Sequence, residues 1–563
     1  MTDGERTTQR IDALLAQWNT GDPADVLLRR RCALELHELR GLFRRHAAAF
    51  DEGAVAALKA LGRALEETPS RSDRSTPAEV LSGVFGYDSF RPGQEEIIAA
   101  VLAGRDCVGV MPTGAGKSLT YQIPARVLGG TTLVVSPLIS LMKDQVDAAR
   151  EAGLAATFLN STLDPEERRA RLAGLRAGRF ELVYAAPEGI DGAAGRFLGD
   201  VPFALLAIDE AHCISEWGHD FRPAYRNLQH LKQRFGGIPV LALTATATPE
   251  VVSDIVSQLG MSDPVKVRGS FFRSNLRLHA YRKGQGSVEV RHAILKLVRA
   301  RPGESGIVYC LSRKSTEATA RFLAENGVKA LAYHAGLEAA TRTRVQDAFR
   351  LDDVDVVCAT IAFGMGIDKP NIRYVIHRDM PRSIEGYYQE IGRAGRDGHP
   401  SDCVLFFSYA DVAAFDRFID EAAAELAASQ RRKVREMFRL AEGRTCRHRA
   451  LVAYLGEKIA DCRTSCDVCL GVDVVATAKA QPKKPVVETS SPTFLALKVL
   501  RRTLADARKV PAYLVFSDAT LKAMAERHPL RQSELSAISG VGPKKLAAYG
   551  AQFLALLAEL PRD

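Results

Sequence analysis

Short apolar runs bounded by turn residues alternate with stripes of helical period over most of this chain. Runs at 107–110, 132–135, 182–184, 203–208 and 240–243 predict strands buried on both faces, with helical patterns between them. A second series follows at 306–310, 330–333, 354–359 and 374–377. The alternation predicts an α/β fold: two tandem parallel sheets flanked by helices, over residues 76–270 and 271–411, with a cleft between them.

The flanks read differently. Residues 1–75 carry apolar stripes at 11–18, 26–43 and 55–65 and predict a helical extension. A polar break, TPSRSDRST, ends it. Thr76, Pro77 and Glu79 then supply the N-cap, first-turn proline and capping-box acid of a new helix. Residues 412–471 form a cysteine-bearing helical segment, 472–492 a Pro/Lys/Thr/Ser linker, and 493–563 a last helical block.

At 563 residues the chain is too long for one core, and ordinary domain sizes give about four units. Lys plus Arg exceed Asp plus Glu by 76 to 67, a formal charge of +9 that mildly favours a polyanionic partner. No apolar run approaches a bilayer span and the start, MTDGERTTQR, lacks a signal-peptide layout, so a cytoplasmic protein with no membrane partner is expected, nucleoid-associated if bacterial. Six of the ten cysteines are scattered, as suits a reducing compartment.

The first candidate chemistry lies in MPTGAGKS, residues 111–118, between a predicted strand and a predicted helix. Such a loop is a P-loop: its backbone N–H groups around Thr113, Gly114, Ala115 and Gly116 make an anion nest, Lys117 reaches the terminal phosphates of ATP and Ser118 ligates Mg²⁺. Met111 stands where the strict pattern has glycine. On a later strand, Asp209 and Glu210 supply the metal-side acid and the general base. In YYQEIGRAGRDG, Arg393 and Arg396 lie three apart on the second sheet's side of the cleft, placed to reach the γ-phosphate as arginine fingers, worth about 10³ to 10⁵ in rate. Hydrolysis then requires cleft closure, the property a stepping motor needs.

The acid pair runs straight into an aromatic, basic loop, AIDEAHCISEWGHDFRPAY, residues 207–225. Trp217, Phe221, Arg222 and Tyr225 are flat groups of the kind single-stranded bases stack on. Further on, Cys446, Cys462, Cys466 and Cys469 fall within one short segment and supply four thiolates for a closed tetrahedral Zn²⁺ site with a folding role. Near the end, Gly540, Gly542, Pro543 and Lys544 describe a turn into a helix start, suited either to a DNA phosphate or to plain helix packing and protein contact.

Together FGYDSFRPGQ, MPTGAGKS, SPLISLMKDQ, DEAH, TATAT, YHAGL, ATIAFGMGIDKPNIR and QEIGRAGRDG resemble, in order, the motif ladder of RecQ-family DNA helicases over roughly residues 80–470. The resemblance implies RecA-like sheets, adenine recognition by Tyr87, Arg91 and Gln94, and ATP chemistry by Lys117, Ser118, Asp209, Glu210, Gln389, Arg393 and Arg396. It implies that Thr244 and Thr246 relay cleft state, and that His212, Trp217, Phe221 and Arg222 couple single-stranded DNA to hydrolysis. It also implies 3′ to 5′ movement, roles in repair and recombination, and unidentified repair-protein partners. The cysteine segment is similar to the RecQ zinc module, although three residues separate Cys462 from Cys466 where the family commonly has two. Residues 493–560 resemble the helicase and RNase D C-terminal (HRDC) domain.

Many bacterial RecQ proteins carry a winged-helix domain between these two modules. Here the interval 470–492 is below the roughly 40 residues a small unaided domain needs, so the winged helix is expected to be absent and unwinding to be weak or partner-dependent. Two other readings share these residues: a DNA-binding scaffold with a vestigial ATPase, and an RNA-remodelling helicase.

Overall fold

The computed structural model describes residues 3–20, 50–66, 75–137, 139–191, 198–199, 201–215, 221–284, 289–364, 369–420, 424–477, 491–508 and 510–560, with isolated positions between 32 and 47. Helices Asp3–Thr20 and Glu52–Glu66 bury Ile11, Leu14, Leu58 and Leu61 in a core of their own. Most of the stripe at 26–43 lies outside the described residues. The capping box forms as the sequence requires: Glu79 N–H donates to Thr76 Oγ1 at 3.2 Å, and Thr76 N–H to Glu79 Oε2 at 2.6 Å.

The first lobe is a seven-stranded parallel sheet: β1 (Cys107–Val110), β2 (Thr131–Val135), β3 (Ala156–Leu159), β4 (Leu182–Ala185), β5 (Phe203–Ile208), β6 (Val240–Thr244) and β7 (Val265–Arg268). Its order is β3-β4-β2-β5-β6-β1-β7. Every residue of β1, β2, β4, β5 and β6 is buried, the signature of strands covered by helices on both faces. Because β5, β6 and β1 are neighbours, three loops far apart in sequence leave the same sheet edge side by side.

The second lobe is a six-stranded parallel sheet: β8 (Leu276–Arg282), β9 (Ser305–Tyr309), β10 (Ala330–Tyr333), β11 (Val356–Ala359), β12 (Ile372–His377) and β13 (Ser401–Phe407), in the order β10-β11-β9-β12-β13-β8. Four strands escaped the sequence reading: β3, β7, β8 and β13. β3 is four residues long, while β7 and β8 mix exposed with buried positions and so lack a continuous apolar run.

The exposed side of β8 is covered by the cysteine module. Leu278 N–H donates to Ser465 O at 3.0 Å and Ala280 N–H to Asp467 Oδ2 at 2.9 Å, which removes an open strand edge. The same module grips the connection between lobes: Glu457 accepts from Ser270 Oγ and Phe271 N–H, both at 2.6 Å.

Between Gly471 and Pro492 the described residues hold only the one-turn helix Val474–Thr477, which lies on lobe 2 through Lys296 Nζ to Val475 O at 2.6 Å. The final helical block, Pro492–Arg508 to Pro543–Glu559, has its own core around Leu497, Phe516, Leu535 and Phe553. It docks on both lobes. Gly540 N–H donates to Gly86 O at 2.6 Å on lobe 1, and Arg502 pairs with Asp353 at 2.8 Å on lobe 2.

Candidate active site and metal centre

The P-loop leaves β1 and turns into the helix Leu119–Leu128. Gly114 and Gly116 take φ of 84° and 78°, values that glycine adopts without strain. Met111 is fully buried in the lobe 1 core, with its N–H on Thr244 O at 2.9 Å and its carbonyl accepting from Lys117 Nζ at 3.3 Å. The departure from the strict pattern is therefore a core residue ending the strand.

Arg91 and Gln94, expected at adenine, brace this loop. Gln94 Nε2 donates to the carbonyls of Ala115 and Gly116, each at 3.0 Å, its Oε1 accepts from Arg91 N–H at 2.8 Å, and Arg91 donates to Gly114 O. Gln94 is buried, whereas Tyr87 stands 40% exposed beside them.

Asp209 and Glu210 follow β5. Glu210 sits at φ 49° and ψ 45°, a left-handed conformation that costs a non-glycine residue about 1 to 2 kcal/mol. Glu210 Oε2 is buried without a hydrogen bond and lies 3.4 Å from His212 Nδ1, which is 2.9 Å from Thr244 Oγ1. Thr244 Oγ1 in turn joins Thr246, accepting from its N–H and donating to its carbonyl, each at 3.2 Å. His212, Thr244 and Thr246 thus form one buried contact path beside the acid pair.

The aromatic loop is reached only at its ends. Trp217 lies outside the described residues. Phe221 is half-buried with the Arg226 guanidinium 5.5 Å from its ring centre, and Arg222 Nη1 donates to Pro137 O at 3.1 Å. Tyr225 corrects the sequence expectation: it is 0% exposed and its hydroxyl donates to Asp209 O at 3.0 Å, so its ring faces the core and offers no base platform.

Across the cleft, the end of the helix Ile384–Ile391 brings the second lobe against the P-loop. A Cβ placed on Gly392 would lie 3.1 Å from Thr113 Cβ, and one on Gly114 3.5 Å from Arg396 Cα. Gln389 is half-buried on that helix. Arg393 is buried, and its Nε makes no hydrogen bond to protein. A buried guanidinium nitrogen and carboxylate oxygen lacking protein hydrogen bonds, on opposite lobes, fit a polyphosphate with its metal ion. Asp209 and Ser118 are the oxygen donors that would hold Mg²⁺, a hard cation with a preference for oxygen ligands.

One residue of this site bears no motif signature. Arg273, just past the connection between lobes, donates to Gly392 O at 2.9 Å, Ala394 O at 2.8 Å and Gly395 O at 2.6 Å. Burial pulls its pKa below the ordinary value. The only sequence signal was a lone arginine before an unrecognised strand.

The Sγ atoms of Cys446, Cys462, Cys466 and Cys469 lie within 4.8 Å of one another, close enough to share one tetrahedral Zn²⁺. Cys446 and Cys466 each cap a helix, Arg447–Tyr454 and Asp467–Leu470, and Arg447 Nε pairs with Asp467 at 2.9 Å to lock the two together. The extra spacer residue is absorbed by a tight turn in which Arg463 takes φ 61° and Thr464 N–H returns to Cys462 O at 2.7 Å.

Lys544, expected on a DNA phosphate, donates instead to Arg150 O of lobe 1, because its turn is the docking edge of the final block. Among the described residues, no helix is long and apolar enough to cross a membrane.

Four family profiles match the chain in succession: DEAD/DEAH box helicase over 91–255, helicase conserved C-terminal domain over 289–398, RecQ zinc-binding over 409–470 and HRDC domain over 492–557. The chain is 36% identical to the ATP-dependent DNA helicase RecQ of Haemophilus influenzae, over 86% of this chain and 96% of that one. It is 37% identical to the ATP-dependent DNA helicase RecQ of Bacillus subtilis, over 84% and 97%. A solved structure of Mss116p bound to ssRNA and AMP-PNP matches with a TM-score of 0.51 at 15% identity, over 69% of this chain and 94% of that one, a likeness of fold alone. Motif order, the two-lobed sheet architecture and these matches agree: the chain belongs to the RecQ family of helicases.

Proposed function

We propose that the protein is an ATP-dependent DNA helicase that moves 3′ to 5′ on single-stranded DNA in repair and recombination. The observation that supports the ATPase reading best is the close approach of Gly392 to Thr113 and of Arg396 to Gly114, which brings the arginine-bearing segment of one lobe against the phosphate loop of the other. DNA as the track rests on the family and on the loop that leaves the acid pair.

In this reading the P-loop amides and Lys117 bind the β- and γ-phosphates, and Glu210 accepts the proton of a water that attacks the γ-phosphorus. The bond from that phosphorus to the bridging oxygen breaks, and ADP and phosphate leave. Asp209 and Ser118 would hold Mg²⁺, which neutralises phosphate charge. Arg393 and Arg396 stabilise the charge spread over the transferring phosphoryl oxygens, and Gln389 orients them. Tyr87 offers a face to adenine, with Arg91 and Gln94 shaping the loop beneath it. His212, Thr244 and Thr246 link the site to the loop bearing Trp217, Phe221 and Arg222.

With the interval 470–492 below the roughly 40 residues a small unaided domain needs, robust DNA-stimulated hydrolysis with weak or partner-dependent unwinding is the expected behaviour. Measuring ATP turnover with DNA and RNA of one sequence, and strand displacement on a 3′-tailed duplex, tests the whole. Equal stimulation by RNA overturns the DNA assignment, and full activity of Lys117→Ala overturns the ATPase.

A further inference from the structure

Tyr225 closes the segment that begins at the acid pair, and its hydroxyl returns to the start of that segment. The Asp209–Glu210 peptide is held at both ends. Its carbonyl accepts from Tyr225 at 3.0 Å, and its N–H donates to the Asp209 carboxylate at 3.0 Å. The residue beyond, Glu210, keeps its left-handed conformation only under such restraint. Rotation of this peptide would carry the Glu210 carboxylate away from His212 and from the cleft. Tyr225 is in turn fixed to the far end of the aromatic loop: its N–H donates to Arg222 O at 2.9 Å, and Arg222 N–H donates to Cys213 O at 2.9 Å. The ring is buried in the same hydrophobic core as Ala211, Cys213 and Leu228. Burial, then the nearby Cys213, Asp209 and Glu210, raise the phenol pKa well above its ordinary value, which keeps the hydroxyl a donor.

We propose that Tyr225 is a positioning residue that transmits the binding of a strand at residues 221–224 to the Glu210 carboxylate through the Asp209 carbonyl. The inference rests on the helicase reading above and deepens it. A displacement of residues 221–224 by a bound strand moves Tyr225 on its turn, and the Asp209–Glu210 peptide follows. The loop then need not touch nucleotide to change the rate.

Tyr225→Phe keeps the ring and deletes the donor. With saturating oligodeoxythymidylate, turnover counted per nucleotide-binding site falls about tenfold, the size of one oriented hydrogen bond lost from the transition state. The KM for ATP and oligonucleotide affinity by fluorescence anisotropy stay at wild-type values, while the thermal midpoint falls slightly because the Asp209 carbonyl loses its donor. Affinity for ADP–aluminium fluoride falls by the same factor as turnover, whereas a non-hydrolysable ATP analogue binds unchanged. Counting sites by bound analogue prevents a partly unfolded preparation from imitating the loss. Turnover within about twofold of wild type, or a loss matched by weaker oligonucleotide binding, overturns the assignment. A wild-type protein that DNA does not stimulate overturns the functional reading and this inference with it; a stimulated wild type with an unaffected variant overturns the inference alone.

Discussion

The guanidinium of Arg273 spans three carbonyls of the loop that presents Arg393 and Arg396. A planar fork makes those bonds in one geometry, and an ammonium on a flexible stem cannot. Arg273→Lys is therefore expected to lower kcat about tenfold to a hundredfold with little change in the KM for ATP, since in the proposed mechanism the arginines of this loop act on the charge that develops in the transition state. Gly116 sets a steric limit on the other side of the cleft. A Cβ there would lie 2.5 Å from Gln94 Nε2, at a φ of 78°. Gly116→Ala should abolish binding of a fluorescent ATP analogue, and Gln94→Ala in the same chain should not restore it, because the backbone strain remains.

β8 shows how an element acquires a role from what covers it. His279 on this strand is buried, and burial holds its imidazole at about 4 against an ordinary 6.5, although the nearby Asp467 pulls the other way. The folded state binds fewer protons than the unfolded one between those values, so stability present above the window is lost as pH falls through it. The full effect is about 3 kcal/mol. Thermal midpoints at about pH 7 and about pH 4.5 should fall further for wild type than for His279→Asn, which has no group to titrate there. The cysteine module covers the same strand and clamps the connection between lobes through Glu457. Stripping zinc with a chelator should release about one equivalent of metal per chain and lower the thermal midpoint, with aggregation through the uncovered β8 edge. Glu457→Ala keeps the metal and loosens only the connection, so its effect should appear in turnover while zinc content holds.

At the scale of the molecule, the final helical block bridges both lobes and so opposes any change in their separation. Gly86 meets it so closely that an added Cβ would lie 2.5 Å from Gly542 N, while Arg502 holds Asp353 on the other lobe. Arg502→Glu should free the block from lobe 2, which small-angle scattering would read as a larger radius of gyration with ATP-analogue affinity unchanged. Much of this molecule is legible in its residues taken in order. The P-loop, the acid pair, the two arginines and the four cysteines declare themselves because phosphate, metal and thiolate chemistry restrict residue type and local spacing. Most strands buried on both faces declare themselves as unbroken apolar runs; β13, buried throughout, opens on Ser401 and Asp402 and does not. What needed tertiary structure is which distant groups meet. Tyr225 reads as a stacking ring until its burial turns it toward Asp209, Lys544 reads as a phosphate ligand until its turn is found against lobe 1, and Arg273 carries no local pattern at all. The sequence by itself determined the candidate chemistry, the order of domains and most of the buried strands, since those depend on residue identity and short-range periodicity. Sheet order, the closure of one lobe on the other and the direction each side chain faces were decided only by the fold, because they arise from contacts between residues well beyond the reach of local periodicity, from Tyr225 on Asp209 to Lys544 on Arg150.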